Sequence, residues 1–530
     1  MIMMYTELLD RLGWKVTDQG NNPAVDITGI EYDSRHVSPG NLFFAVKGAN
    51  FDGHDYIECA IQKGAAAVVG SKAIPDIDLP YIQVEDTREA LAQFSAAFYG
   101  FPAREMNVIG VTGTDGKTTT VNLIYQTLLA SGLKAGMIST VNAVAGEEVI
   151  DTGFHVTTPE APTIQSLLRK MADHGLTHVV LEATSHGLDQ RRVSACEFDI
   201  AIVTNITHEH FDYHGDYNAY FNAKFRLIEE LLLSVHKPGL PQRTAVINYD
   251  DISFNTLNEK MSQPGFESVR LINYGIQPGP HVFAEDIKAD AEGVRFNAVV
   301  GGISYPVSSH LIGEYNVQNI LAAITATALG LGLEMESVVL GIECLESVSG
   351  RMERIDLGQG FLAIVDFAHT PNALKVALQT AKKMTKGRVI SVFGSAGLRD
   401  KQKRRMMAAE SLLSADISII TAEDPRTEDL EDLLNEMADE ARKNSGIENR
   451  NFYTIADRGD AIRKAVNLAQ SDDLVIACGK GHEQSMCFGE TEYPWDDRVA
   501  MQAALSELMN IPGPRMPYLP TQGKEKTGGS

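Results

Sequence analysis

The chain has 530 residues, a 44% apolar fraction and a formal net charge of −24. That length suits roughly three or four domains at about 150 residues each, and the acidic balance argues against the broad positive surface that nucleic-acid binding needs. No apolar run reaches about 18 residues, so no membrane span is expected. The start, MIMMYTELLDRLGWKV, lacks the basic, apolar and small-residue order of a secretory leader, and Cys59, Cys196, Cys344, Cys478 and Cys487 include no CxxC. Reduced thiols and a cytoplasmic protein are expected.

In chain order, residues 1–104 mix short β-type runs (NLFFAV, AAAVVG) with a helical one (TREALAQFSAAFYG), and DSRHVSPGN reads as a loop. From 105 to 347 the pattern becomes strand, glycine loop, helix, strand. MNVIGVTG, KAGMIST, HVVLEATS and FDIAIVTNI are strands, with helices over TTTVNLIYQTLLASG, APTIQSLLRKMADHG and EYNVQNILAAITATALGLG. Short apolar strands alternating with amphipathic helices predict a parallel sheet covered on both faces. From 348 to 510 a second such alternation follows: strands FLAIVDFAH, RVISVFGSAG, DISIITAED and DLVIACGKG, helices NALKVALQTAKKM and RRMMAAESLLSA. Residues 511–530, rich in Pro, Gly and polar residues, read as a disordered tail. The fold class is α/β in three parts.

NVIGVTGTDGKTTT (Asn107–Thr120) has the strand, glycine loop and helix of a phosphate-binding site, but Val111 stands where the general pattern wants glycine six residues before Lys117. Backbone N–H groups at the helix start suit a phosphate chain, Lys117 neutralises charge, and Thr118 is available to Mg²⁺. Further on, His208, Glu209, His210, Asp212 and His214 crowd a strand end in TNITHEHFDYHG. His-x-His alone points towards zinc, whereas a phosphate loop in the same domain favours the hard, oxygen-preferring Mg²⁺. Glu182 is expected at the carboxyl edge of the same sheet, where open α/β folds bind ligands. Lys224 follows Tyr220 by four residues and shares its helix face; spacing alone does not distinguish it from a solvated lysine.

GTDGKTT, the Glu182 strand end, TNITHEHFDYHG, NAKF around Lys224, LIGEYNVQN, GRME and VDFAHTPNAL occur in that order. Together they resemble the Mur ligases, ATP-dependent amide-forming enzymes of peptidoglycan precursor synthesis, over residues 25–505. The family's loop is GTxGKT/S, which accounts for the displaced glycine. YDSRHVSPGNLFFAVKG with FDGH, TTPEAPT, ATSHGLDQRRV, GRMERID, FGSAGLRDKQKR and GKGHE resemble the third-position branch, which adds a diamino acid to UDP-MurNAc-L-Ala-D-Glu. The resemblance implies a small α/β UDP-binding domain (1–104), a central P-loop-type parallel-sheet ATPase domain (105–347) and a Rossmann-like α/β amino-acid-binding domain (348–510).

It also implies roles. Gly113, Thr114, Asp115, Gly116, Lys117, Thr118 and Thr119 hold ATP phosphates, Asp115 occupying the loop's variable position. Thr118 and Glu182 bind one Mg²⁺, His210 helps hold a second, and Lys224 becomes a CO₂-derived carbamate that supports it. Asn316, Arg351 and Asp366 match positions that contact ATP. Ser34, Thr157, Thr158, Thr184, Gln190 and Arg192 match the UDP-substrate site, and Arg192 suits a pyrophosphate or carboxylate. The implied partners are ATP, the UDP-MurNAc-dipeptide and a diamino acid, acting on a monomer.

The diamino acid is harder to read. The diaminopimelate-adding branch carries DNPR, and here the stretch is Glu423-Asp424-Pro425-Arg426. Arg426 can pair with the distal carboxylate of meso-diaminopimelate, and Arg399, Gly479 and Glu483 match the same branch. Asp424 in place of asparagine adds a negative charge that suits the distal amine of lysine or ornithine. GKGHE, GRME and TTPE weigh against the fourth-position ligase, and the DSR…DGH first domain weighs against cyanophycin synthetase and folylpolyglutamate synthetase; a related Mur-type ligase with another amino-acid substrate is the alternative. A catalytically silent scaffold would be expected to lose some of Lys117, Glu182, His210, Lys224 and Asp366, all of which are present.

Overall fold

The computed structural model describes residues 2–13, 25–48, 51–74, 77–150, 158–207, 211–237 and 242–522. By compactness the chain divides into two units. The first holds residues 1–284, 298–305 and 318–341; the second holds 285–297, 306–317 and 342–530. The first part and most of the central part read from the sequence thus fall within one unit, with 285–297, 306–317 and 342–347 assigned to the other, although each of the three parts has a sheet of its own.

In the first unit, strands Gly29–Glu31, Asn41–Phe44, Ala67–Gly70 and Tyr81–Gln83 form a parallel four-stranded sheet. The helix Thr87–Phe98 packs on it through Phe94, whose ring lies 5.5 Å from that of Phe44. Asp86 caps this helix by accepting from the Arg88 and Glu89 amides.

The larger sheet has Asn107–Thr112 at its centre, between His178–Glu182 and Ile200–Val203, all parallel. Ala135–Ile138 lies beyond the former neighbour, and Thr244–Asn248 and Arg270–Gly275 beyond the latter. The middles of these strands are mainly apolar and most of their residues are buried, as a sheet covered on both faces requires. Glu182 is in register with Val111, and Val203 with Thr112. The loop after Thr112 therefore emerges between two carboxyl strand ends, at the switch point where α/β sheets bind ligands. The predicted helix over 314–332 is α-helical at Asn316–Ile324 and π-helical at Thr325–Gly330.

In the second unit the strand order is Glu353–Arg354, Leu362–Asp366, Leu474–Cys478, Val389–Phe393, Ile417–Ile420, Phe452–Thr454, parallel except for the first. The loops following Asp366, Phe393, Ile420 and Cys478 leave the same carboxyl edge. The stretch read as a tail does not fit that reading through Gln522. Leu519 is fully buried in the core formed with Ile355, Val365 and Trp495, Met516 packs over Gly459, and Thr521 Oγ1 donates to Asp457 Oδ2 at 2.8 Å. Composition suggested disorder, but the Leu519 and Met516 side chains and the Thr521 hydroxyl pin the segment.

Candidate active site

The loop between Thr112 and Lys117 is shaped by two close approaches. A Cβ on Gly113 would lie 1.8 Å from Thr204 Oγ1, and one on Gly116, at φ +82°, would lie 2.2 Å from Asn319 Oδ1. Both positions therefore demand glycine, one for space and the other for space and backbone conformation. Neighbouring strand ends secure the loop: Asp115 N donates to Asn205 Oδ1 at 2.8 Å, and Thr204 Oγ1 donates to the Asp115 carbonyl at 2.6 Å. Lys117 opens the helix Lys117–Ala130 and its Nζ donates to the Gly113 and Thr114 carbonyls at 3.0 and 2.7 Å.

Thr118 Oγ1 lies 3.1 and 3.0 Å from the two carboxylate oxygens of Glu182, which also accepts from the Thr140 amide at 3.0 Å. Both residues are buried. Lys224, 1% exposed, points beneath the loop. Its Nζ donates to the Gly113 carbonyl at 2.5 Å and lies 4.6 Å from the Tyr220 ring centroid. Tyr220 OH lies 3.1 Å from Thr114 Oγ1, so the helix Tyr217–Leu233 presents both residues to the loop from the one face that their spacing predicts they share. Thr114 Oγ1 also accepts from the Thr207 amide at 2.9 Å, tying the loop to the strand end that leads into HEH. His208, Glu209 and His210, and the side chain of Asp212, lie outside the described residues. His214 lies against Tyr220, with ring centroids 5.3 Å apart.

Four of the residues matched to the UDP-substrate site form one network. Thr158 Oγ1 is 3.0 Å from Thr184 Oγ1, and Thr184 caps its helix by accepting from the Gly187 amide. Arg192 donates to the Thr158 carbonyl at 2.8 Å and to Gln190 Oε1 at 2.7 Å, and pairs with Glu160 at 2.9 Å. Glu160 was not singled out, although it belongs to TTPE. The Tyr32 hydroxyl is pushed up to about 12, first by burial and then by Glu160 and Glu31, with Arg192 opposing. The stretch carrying Ser34, which is itself buried, thus meets this network. Thr157 lies outside the described residues.

In the second unit GRME, DFAH and GKGHE converge. Asp366 accepts from the Met352 and Ala368 amides at 2.7 and 2.8 Å. Burial raises its carboxyl, and the neighbouring Arg351 opposes. The Arg351 guanidinium lies 4.6 Å from the Phe367 ring centroid, and His482 packs on the same ring. A Cβ on Gly350 would strike the His482 amide at 2.1 Å. Asn316 Nδ2 donates to the Ile312 carbonyl at 2.8 Å; Asn319, three residues later and missed in sequence, is the residue at the phosphate loop.

The residues matched to the amino-acid site lie on loops at the carboxyl edge of the second unit's sheet. Gly397 N donates to the Asp424 carbonyl at 2.9 Å. Leu398, Asp424 and Arg426 all adopt left-handed backbone, at φ +57°, +39° and +54°, a concentration of strain of the kind held at binding sites. Asp424 is buried and accepts from Lys480 Nζ at 3.1 and 3.0 Å and from the Cys487 amide at 2.9 Å. Lys480, 0% exposed, also pairs with Glu483. Arg399 is exposed and Arg426 half-buried.

Glu423 is buried with Oε2 lacking a hydrogen bond. Burial pushes its carboxyl up to about 7, opposed by Arg458 and Lys480. A Cβ on Gly479 would lie 2.3 Å from Glu423 Oε2. Beneath both loops Arg458 forms a fully buried pair with Asp497 at 2.6 Å and donates to the Cys478 and Ala422 carbonyls at 2.8 and 3.3 Å. No sequence signal singled out Arg458, Asp497 or Lys480, except that Lys480 stands inside GKGHE.

The Mur ligase catalytic domain profile matches residues 26–99, the middle domain profile 111–327 and the glutamate ligase domain profile 350–481. A 2,6-diaminopimelate ligase of Geobacillus thermodenitrificans, acting by name on UDP-N-acetylmuramoyl-L-alanyl-D-glutamate, is 38% identical over 509 residues, covering 95% of this chain and 100% of its own. A UDP-N-acetylmuramyl-tripeptide synthetase of Roseiflexus is 40% identical over 489 residues, covering 91% and 95%. A solved structure of a UDP-N-acetylmuramoyl-L-alanyl-D-glutamate–2,6-diaminopimelate ligase superposes with a TM-score of 0.66 at 28% identity, covering 96% of this chain and 100% of that one.

Proposed function

The chain belongs to the Mur ligase family, and from that premise we propose that it joins meso-diaminopimelate to UDP-MurNAc-L-Ala-D-Glu, converting ATP to ADP and phosphate. The observation that carries this reading is the gathering of Lys117, Thr118, Glu182 and Lys224 around one loop, joined through Thr158 to the Arg192 network.

A free D-Glu carboxylate oxygen attacks the γ-phosphorus, the bond to the β–γ bridging oxygen breaks, and ADP leaves. The amine of the diamino acid then attacks the acyl carbon, a proton is lost from nitrogen, and phosphate leaves with the former carboxylate oxygen. Both steps gather negative charge, so cations and positioning supply the catalysis. Lys117 and the amides of 113–119 hold the β- and γ-phosphates against the helix start. Arg351, Asp366 and Asn316 serve ATP, while Ser34, Thr157, Thr158, Thr184, Gln190 and Arg192 hold the UDP-substrate.

Thr118 Oγ1 and the Glu182 carboxylate form a hard-oxygen pair that fits Mg²⁺, which when bound offsets phosphate charge. A carbamate on Lys224 retains one N–H, which is enough to keep the bond to the Gly113 carbonyl, and its oxygens would serve, with His210, a second ion. No described helix is long and apolar enough to cross a membrane; we place the protein in the cytoplasm as a monomer.

The test is incubation with ATP, Mg²⁺ and UDP-MurNAc-L-Ala-D-Glu, offering diaminopimelate, lysine or ornithine separately, with phosphate release and product mass measured. Product with diaminopimelate is expected. No product with any of the three overturns the assignment.

A further inference from the structure

We propose that Lys480 determines which diamino acid the site accepts, acting as a positioning residue. Its ammonium, 0% exposed, bridges buried Asp424 and partly exposed Glu483 in one ion triad, and both oxygens of Asp424 are engaged by it. The Cys487 amide takes a further lone pair of Asp424 Oδ1 at 2.9 Å. Both oxygens of Asp424 are therefore engaged, and its charge is offset by a buried cation. The departure from the asparagine of DNPR then no longer adds a free anion.

Two arginines stand on these loops beside the triad. Arg426 is half-buried, with its backbone locked to Cys487 and Gly489, and Arg399 lies on the adjoining loop. Such a pair suits a distal carboxylate and repels a distal ammonium. The strained φ of Asp424 and Arg426 is sustained by these same contacts, so the triad also fixes the direction in which Arg426 leaves the backbone. Removing the Lys480 charge would leave Asp424 and Glu483 as two carboxylates without their shared cation, next to the loop that carries Arg426.

This inference rests on the diaminopimelate reading above. Its test is steady-state kinetics on the full chain with UDP-MurNAc-L-Ala-D-Glu and ATP, comparing kcat/KM for meso-diaminopimelate and L-lysine. For Lys480→Gln the ratio of the two should fall at least tenfold, mainly through a higher KM for diaminopimelate. In Lys480→Gln/Asp424→Asn, where charge is removed from both partners, the ratio should recover to within threefold. Lys480→Arg, which keeps the cation, should retain the preference, and it carries the test if the neutral variant does not fold.

A Lys480→Gln protein with an unchanged ratio overturns the role, as does equal loss for both substrates without recovery in the double variant. A folded Lys480→Arg protein that has lost the preference overturns it too. A wild-type protein that uses lysine and not diaminopimelate instead overturns the substrate reading on which the inference stands.

Discussion

Lys224 Nζ donates to the Gly113 carbonyl at 2.5 Å, so a helix lysine holds the first glycine of the phosphate loop from below. The bond is buried, and its loss leaves Lys117 as the Gly113 carbonyl's remaining side-chain donor and removes the group proposed to carry the carbamate. Lys224→Ala is expected to lower kcat by at least about 100-fold with a smaller change in KM for ATP. After exposure to ¹³C-bicarbonate the wild-type protein should show a carbamate carbon resonance that Lys224→Ala lacks. A variant with unchanged turnover removes Lys224 from the mechanism.

Gly113 offers a cleaner test of loop geometry. A methyl group there would overlap Thr204 Oγ1, whereas one on Gly132 meets nothing within 4 Å. Gly113→Ala should weaken ATP binding by at least about tenfold, the scale set by losing a charged hydrogen bond. Gly132→Ala, at φ +73°, costs backbone strain but should leave ATP affinity alone. Calorimetric titration with ATP reads both, and equal affinities in all three proteins would contradict the packing argument.

Arg192 holds Thr158, Gln190 and Glu160 together. Arg192→Ala is expected to raise KM for the UDP-substrate by about 10- to 100-fold while KM for ATP stays within about twofold. A rise in both, or in neither, would separate Arg192 from substrate binding.

Much of this arrangement was legible in the sequence, because strands bearing chemistry end where their periodicity ends. HVVLEATS announces a buried strand, and its terminal Glu182 falls beside Thr118 as the switch-point rule requires. The i, i+4 spacing of Tyr220 and Lys224 correctly placed both on one face, yet spacing could not say that this face meets the loop 111 residues earlier. Lys480 and Arg458 were not read because local pattern marks a lysine or arginine as solvated; only the tertiary placement of Asp424, Glu483 and Asp497 makes their burial tolerable. The terminal segment was misread for a related reason, since composition cannot register what a single buried Leu519 does.

Glu423 should leave a signature in the pH dependence of stability. Its carboxyl is pushed from an ordinary 4.5 up to about 7 by burial. Between those values the folded chain keeps a proton that the unfolded chain has released. Its contribution is therefore full below pH 4.5 and is lost as pH rises through about 7. His178 and His482, held down at about 4 and about 3 by burial, run the other way, but they do so equally with and without Glu423. Tm of the wild type minus Tm of Glu423→Gln should thus decline between pH 5 and pH 8. A flat difference would refute the assignment.

Leu519→Ala should destabilise the second unit by about 2 to 5 kcal/mol, the usual cost of emptying a leucine site in a closed core, measured by denaturant unfolding with m unchanged. A loss under about 0.5 kcal/mol would show that the segment adds nothing to the core.

The position of Leu519 also sets a timetable for biosynthesis. Its core partners Ile355 and Val365 are translated more than 150 residues before it. At about 5–20 residues per second those apolar side chains emerge from the ribosome many seconds ahead of the residue that covers them. The first unit's phosphate-loop sheet, complete by residue 275 apart from its outer strands, has no such wait. Vectorial synthesis therefore delivers the nucleotide-binding sheet before the amino-acid-binding core is able to close, and the interval between them is the period in which this chain most needs a chaperone.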